Sequence, residues 1–221
     1  MNNQGKNTSK ISNKLHYSYL ISMYLLAICL VMLEFLQPAQ AAPQEDTTPT
    51  NNPEETKVEG SIPAFGTKGE KHWYVQTAAA IDIDENDATS FGLIGGGVSQ
   101  FFANGHSINA NLNSLYFQQS GDDALGLNLD LLLRYHFLRR ANWSLFFDGG
   151  VGIIGTTNNV PSGGSSFNFT PQFAVGSTIR VAPEKHLMLG LRWHHISNAD
   201  TFDSNPGLDS IMGQVGLILP R

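Results

Sequence analysis

The stretch Arg192 to Asp200 reads RWHHISNAD and places an imidazole, His195, two residues before a hydroxyl, Ser197, with Asn198 next to it. A serine becomes a useful nucleophile when a base stands beside it, and histidine is the usual base. The arrangement is complete when a carboxylate orients the imidazole and stabilises its charged form. Asp209 is the first candidate for that carboxylate. Asp203, nearer in sequence but within a polar loop, ranks second. Such groups act together only on one side of one surface, so the elements that carry them must be read next.

From Lys71 onward the sequence alternates with period two. In LGLNLDLLLRYHF, Leu125, Leu127, Leu129, Leu131, Leu133, Tyr135 and Phe137 share one parity, and Asn128, Asp130, Arg134 and His136 the other. Successive strand residues point to opposite faces, so this is a sheet with one oily and one polar side. Eight candidate strands cover 71–82, 89–102, 106–118, 124–137, 142–156, 167–181, 186–197 and 208–219. Most reach the ~9–11 residues that cross a bilayer at a tilt, against the ~5–6 usual in globular sheets. Their connections alternate too. ANGH, LRRAN and APEKH are short, whereas DIDENDAT, SGDD, TTNNVPSGGSS and NADTFDSNPG are mostly longer and more polar. Tight turns at one end and long loops at the other predict an all-β, eight-stranded antiparallel up-and-down transmembrane β-barrel. Aromatics gather at both rims, with Trp73, Phe101, Tyr135, Phe137 and Trp143 at the inner one and Tyr116, Phe117, Phe167, Phe169 and Trp193 at the outer. The competing architecture is a soluble lipocalin-like carrier, in which the oily parity would face inward around a ligand.

Within this frame the chemistry acquires positions. Leu187, Leu189, Leu191 and Trp193 have the lipid-facing parity; continuing it leads to His195 and Ser197, while Arg192 and His194 point into the lumen. On the last strand Ile211, Val215, Leu217 and Leu219 share their parity with Asp209. A symmetric hairpin sets 195 opposite 209, where Cβ atoms lie ~4.5–5.5 Å apart. Residues 195 and 197 are two rises apart on the same face, about 6.6–7 Å. The plainer account is that polar residues at strand ends mark the headgroup boundary.

The first 41 residues read as an export signal: Lys6, Lys10 and Lys14 precede an apolar run, and Ala39-Gln40-Ala41 fits a cleavage site. A retained membrane helix is the alternative, but Glu34 interrupts the end of the run. The only cysteine, Cys29, lies in this segment, so the exported chain has no disulfide or cysteine-metal chemistry. Residues 42–68, rich in Pro, Thr, Asn and Glu, read as a flexible acidic linker, and residues 69–221 as the barrel. Without Lys6, Lys10, Lys14 and Glu34 the chain keeps ten basic and eighteen acidic residues, a net charge of −8. That balance argues against nucleic acid as a partner.

The segment HISNADTFDSNPGLD resembles the signature of the outer-membrane lipid A 3-O-deacylase family: His-x-Ser-Asn, then a loop with Asn and Gly, then an acidic residue. His195, Ser197 and Asn198 match directly, and Asn205 and Gly207 fall in the loop. The resemblance implies a serine esterase in which Ser197 is the nucleophile, His195 the general base and the acidic residue the third member. Asp209 takes the position of a glutamate there, keeping the charge on an arm one methylene shorter. Asn198, Asn205 and the loop around Gly207 are candidates for oxyanion donors. The implied partner is lipid A or lipopolysaccharide in the outer leaflet of a Gram-negative outer membrane, with no cofactor or metal. A non-catalytic barrel that keeps the scaffold is the alternative function.

Other signals carry less. GVGIIG, Gly150 to Gly155, matches a dinucleotide fingerprint but sits inside a strand with no helix after it. DIDENDATSFGL begins like a calcium loop but has Asp87 where glycine is needed and Leu93 where glutamate is needed. His72, His106, His136 and His186 are scattered near strand ends without metal-ligand spacing.

Overall fold

The structure is a computed structural model that describes residues 64–83 and 89–221. The export segment 1–41, linker residues 42–63 and the tip of the first long loop lie outside the described residues.

Nine strands follow one another: β1 (Lys71–Asp82), β2 (Ser90–Ala103), β3 (His106–Gln118), β4 (Ala124–Arg139), β5 (Trp143–Val160), β6 (Ser165–Phe169), β7 (Gln172–Ala182), β8 (Lys185–Ile196) and β9 (Leu208–Pro220). Consecutive strands pair antiparallel from β1 to β6 and from β7 to β9, β5 pairs with both β6 and β7, and β9 returns to β1, closing a ring. The ring is eight strands round, because β6 and β7 together occupy the place of the expected sixth strand, 167–181. Pro171 separates them: it has no N–H to give to a ladder. Thr170 holds the two pieces in line, since its N–H donates to Gly152 O at 2.8 Å and its carbonyl accepts from Gly152 N at 3.1 Å. Only glycine fits opposite, as a Cβ at 152 would lie 2.5 Å from Thr170 Oγ1 and 2.7 Å from Asp130 Cβ.

The connection between β5 and β6 also differs from the sequence reading. The polar segment TTNNVPSGGSS continues as strand to Val160, which pairs with Ser165, so the hairpin stands above the ring and turns through only residues 161–164.

The oily parity faces outward. Leu125, Leu127, Leu129 and Leu131 are 53–60% exposed, while Asn128, Asp130 and Arg134 on the same strand are buried. A soluble carrier needs the reverse, so the membrane barrel is the architecture. Its lumen is filled in layers. In the middle, Arg134 Nη2 lies 2.5 Å from Asp148 Oδ2 and Arg192 Nη2 lies 3.1 Å from Asp148 Oδ1, and Arg192 also donates to Gln172 and Gln214. Asn111 and Asn113 donate to the two oxygens of Asp130 at 2.9 and 3.0 Å. These buried charges are paired and hydrogen-bonded, the condition under which a low-dielectric interior tolerates them.

Apolar layers cap this polar one. Phe91, Leu115, Phe117, Ile196, Leu208 and Met212 pack together in one buried cluster, and Phe65, Phe101, Phe146, Met188 and Ile218 in another. Two of the expected rim aromatics, Phe101 and Phe117, are therefore inside, 1% and 0% exposed. The reason is alternation itself: Tyr116 and Phe117 are consecutive, so only one can face lipid. Phe65, from the segment read as linker, is buried against His186, His72 and His136, with ring centroids 4.4, 5.1 and 5.4 Å away. The described barrel unit thus includes the last residues of that segment.

Candidate active site

β8 and β9 pair in the register the hairpin argument requires, with His195 directly opposite Asp209. Nδ1 of the imidazole is 2.9 Å from Asp209 Oδ1. A carboxylate accepts only, so Nδ1 carries the proton and Nε2 is left with its lone pair available to accept one. The pair lies on the outer wall: the His195 and Asp209 side chains are 21% and 31% exposed, whereas His194, one residue before, is buried in the lumen. Trp193 lies against the imidazole in a stacked arrangement, with centroids 5.8 Å apart and planes 19° from parallel.

Ser197 stands just past the end of β8. It forms an antiparallel bridge with Phe169: Phe169 N donates to Ser197 O at 2.8 Å, and Ser197 N to Phe169 O at 3.1 Å. Directly bridged residues share a face, and Phe169 faces outward, so Ser197 continues the wall that bears His195. Its side chain is mostly covered, with the residue 7% exposed. Among the described residues its hydroxyl has no hydrogen bond to the imidazole. In enzymes without substrate such a bond is often long and tightens in the complex. The break at Pro171 has a use here: Pro171 O accepts from His195 N at 3.0 Å, and the chain then turns to present Phe169 to Ser197.

The loop that follows is pinned from within. Asn198 is buried, and its Nδ2 donates to Ser204 O at 2.7 Å and to Ser165 Oγ at 3.2 Å. Its backbone N–H donates to Asn205 Oδ1 at 3.0 Å, and its carbonyl accepts from Thr201 N at 3.0 Å. The turn between has Ala199 and Asp200 both left-handed, at φ 53° and 59°, a conformation that costs a residue with a Cβ about 1–2 kcal/mol. Asn205 Nδ2 makes a longer bond, 3.3 Å, to Asp200 Oδ1. Gly207, at φ 75°, brings the chain back beside the imidazole, where a Cβ would stand 3.5 Å from His195 Cε1. Asp203 is exposed in the loop, and among the described residues no hydrogen bond joins it to His195.

Of the sequence candidates, the structure brings His195 and Asp209 into contact and sets Ser197 on the same wall. It commits the Asn198 side chain to holding the loop. Sequence reasoning assigned no part in the site to Trp193, Phe169, Pro171 or Ser165. Pro171 carried a signal, since a proline inside an alternating run marks an interruption.

An eight-strand ring with an oily exterior, a polar middle layer and a polar constellation at one rim is a small transmembrane β-barrel of the outer-membrane type. The model of the family described as lipid A 3-O-deacylase (PagL) matches residues 68–217. The chain belongs to this family of lipid A deacylases, and it is a Gram-negative outer-membrane protein. Among solved structures, the crystal structure of the outer membrane enzyme PagL is 18% identical, covers 67% of this chain and 99% of its own, and has a TM-score of 0.50. The crystal structure of Neisserial surface protein A (NspA) is 16% identical over 67% of this chain and 97% of its own, at 0.49. That of OprG from Pseudomonas aeruginosa is 14% identical over 69% and 95%, at 0.43. At these identities the likeness concerns the fold. No curated protein sequence matches the chain.

Proposed function

We propose that the protein hydrolyses the 3-O-linked acyl ester of lipid A, with Ser197 as nucleophile, His195 as general base and Asp209 as the orienting carboxylate. The observation that carries this reading is the 2.9 Å contact of His195 Nδ1 with Asp209 Oδ1 on the lipid-facing wall, two residues from a serine of the same face. A site on the outside of the barrel meets a substrate that stays in its leaflet. At the long-loop rim that leaflet is the outer one, where lipid A is the ester-bearing lipid.

Ser197 Oγ attacks the ester carbonyl while His195 Nε2 takes the hydroxyl proton. The Asp209 carboxylate stabilises the imidazolium. Collapse of the tetrahedral intermediate breaks the bond to the lipid oxygen, which leaves as a hydroxyl with the proton from Nε2. Water then attacks the acyl-serine, gives a proton to Nε2, and the fatty acid departs as the proton returns to Ser197. The oxyanion needs donors placed for the intermediate. Asn205 Nδ2, whose bond to Asp200 is 3.3 Å, is freer to serve than Asn198 Nδ2, already engaged at 2.7 Å.

Mass spectrometry of lipid A from a Gram-negative host that expresses the protein tests this. The wild type is expected to remove one 3-O-linked chain and Ser197→Ala none. Unchanged lipid A from cells with a folded wild-type barrel would favour a non-catalytic scaffold, and chain loss that persists in Ser197→Ala would rule out the nucleophile.

A further inference from the structure

Ser165 has no part in the hydrolysis described above, yet its hydroxyl joins the raised β5–β6 hairpin to the residue that follows the nucleophile. The residues involved, Ser165, Asn168 and Asn198, are all buried, at 8%, 1% and 1% exposed. Donor and acceptor roles fix the direction of each link. Asn168 Nδ2 donates to Val160 O at 3.0 Å and to Ser165 O at 2.8 Å. Carbonyls only accept, so Oδ1 of Asn168 is the atom that faces Ser165 Oγ, 3.0 Å away. The hydroxyl shares its one hydrogen between this oxygen and Phe167 O, the latter at 2.8 Å. Its lone pairs are left for Asn198 Nδ2, which donates at 3.2 Å. The other N–H of that amide goes to Ser204 O at 2.7 Å, again a pure acceptor, so the Asn198 amide has one orientation.

The nucleophile needs such a hold. β8 ends at Ile196, and Ser197 beyond it has one isolated bridge, to Phe169, in place of a continuing ladder. Asn198 is followed at once by the left-handed pair Ala199 and Asp200, which turns the chain away. A lone bridge fixes where the backbone passes but leaves it free to twist about that point. Asn168 and Asn198 stand one residue past the bridge on the two chains, so the link through Ser165 lies beside it and opposes the twist. The hairpin can bear this load because it is also tied to the β3–β4 connection: Asn158 Nδ2 donates to Asp123 O at 2.7 Å, and Gln119 Nε2 to Asn159 O at 2.8 Å.

We propose that Ser165 is a positioning residue, a strut that couples the raised hairpin to Asn198 and so holds Ser197 where His195 Nε2 can take its proton. The proposal rests on the esterase reading. The simpler role for three buried polar side chains is to satisfy one another and keep the loop folded. That role lowers the stability of the barrel without slowing the barrels that are folded.

The test is a cycle in detergent micelles, comparing wild type, Ser165→Ala, Asn198→Ala, the double variant and Ser197→Ala, with each barrel first checked for folding by its heat-modifiable gel mobility. Two rates are read: turnover of lipid A, and covalent labelling of the active serine by a fluorophosphonate, which reports the nucleophile without the lipid. Ser165→Ala leaves an N–H of Asn198 and the Oδ1 of Asn168 without partners, so kcat is expected to fall about tenfold, the scale of a lost buried hydrogen bond, with KM unchanged. Labelling is expected to slow by the same factor. With Asn198 already alanine, Ser165→Ala is expected to cost nothing further, because groups that act as a unit are not additive. Wild-type kcat and labelling in folded Ser165→Ala, or the same factor lost with and without Asn198, overturns the strut and leaves a structural network. Wild-type turnover and labelling no higher than those of Ser197→Ala overturn the esterase reading, and the strut falls with it.

Discussion

Asp209→Asn changes one charge at nearly constant volume, and its effect can be worked from the site. Charges about 4 Å apart near a protein surface attract by about 4 kcal/mol. His195 and Asp209 are 21% and 31% exposed, and solvent screening at such a rim leaves roughly half, about 2 kcal/mol. That energy appears when Nε2 takes the serine proton and the imidazole becomes charged, so it belongs to the transition state and not to substrate binding. At 1.36 kcal/mol per tenfold, kcat is expected to fall about thirtyfold from the charge alone. The loss grows toward about 10⁴-fold if the asparagine amide turns its N–H₂ to Nδ1 and enforces the wrong tautomer. KM is expected to stay put, because Asp209 stands behind the imidazole from the substrate. Fatty-acid release from purified lipid A in micelles, measured on barrels with unchanged heat-modifiable mobility, gives both constants. A kcat within threefold of wild type, or a loss confined to KM, would refute the assignment of Asp209.

Two further variants probe the same physics elsewhere. Asp209→Glu is expected to bring no gain in kcat, because the aspartate already reaches Nδ1 at 2.9 Å; a rise above wild type in the same assay would show the short arm to be a defect. Gly152→Val is expected to destabilise the barrel by about 1–3 kcal/mol or more, since its Cβ would meet Thr170 Oγ1 at 2.5 Å, and urea unfolding in micelles should show the lowered midpoint.

Much of this protein is legible in its sequence for a simple reason: in a β-strand, parity is geometry. Leu125 to Leu131 could be assigned to one face without coordinates, and so could Asp130 and Arg134 to the other. The contact of His195 with Asp209 followed from one assumption, that a hairpin pairs symmetrically. What parity does not carry is the course of the backbone between paired segments. Alternation runs unbroken from Phe169 to Phe173, so it hid the interruption at Pro171, which turns β6 toward Ser197 and ties β7 to His195. It likewise hid that the polar stretch before Val160 is strand, because Thr and Asn suit both a loop and a hairpin raised into water.

The sequence alone determined that eight long two-faced strands would form a barrel and that His195, Ser197 and Asp209 would share one of its faces, because period-two alternation and strand length follow from local chemistry; that this face is the outer one was decided by the folded barrel. Only the tertiary structure decided which aromatics fill the lumen, how Asn198 and Asn205 are spent in holding the loop, and where the Trp193 indole lies. Those outcomes depend on side chains from strands far apart in sequence competing for the same space and the same hydrogen-bond partners, and no local pattern records the result of that competition.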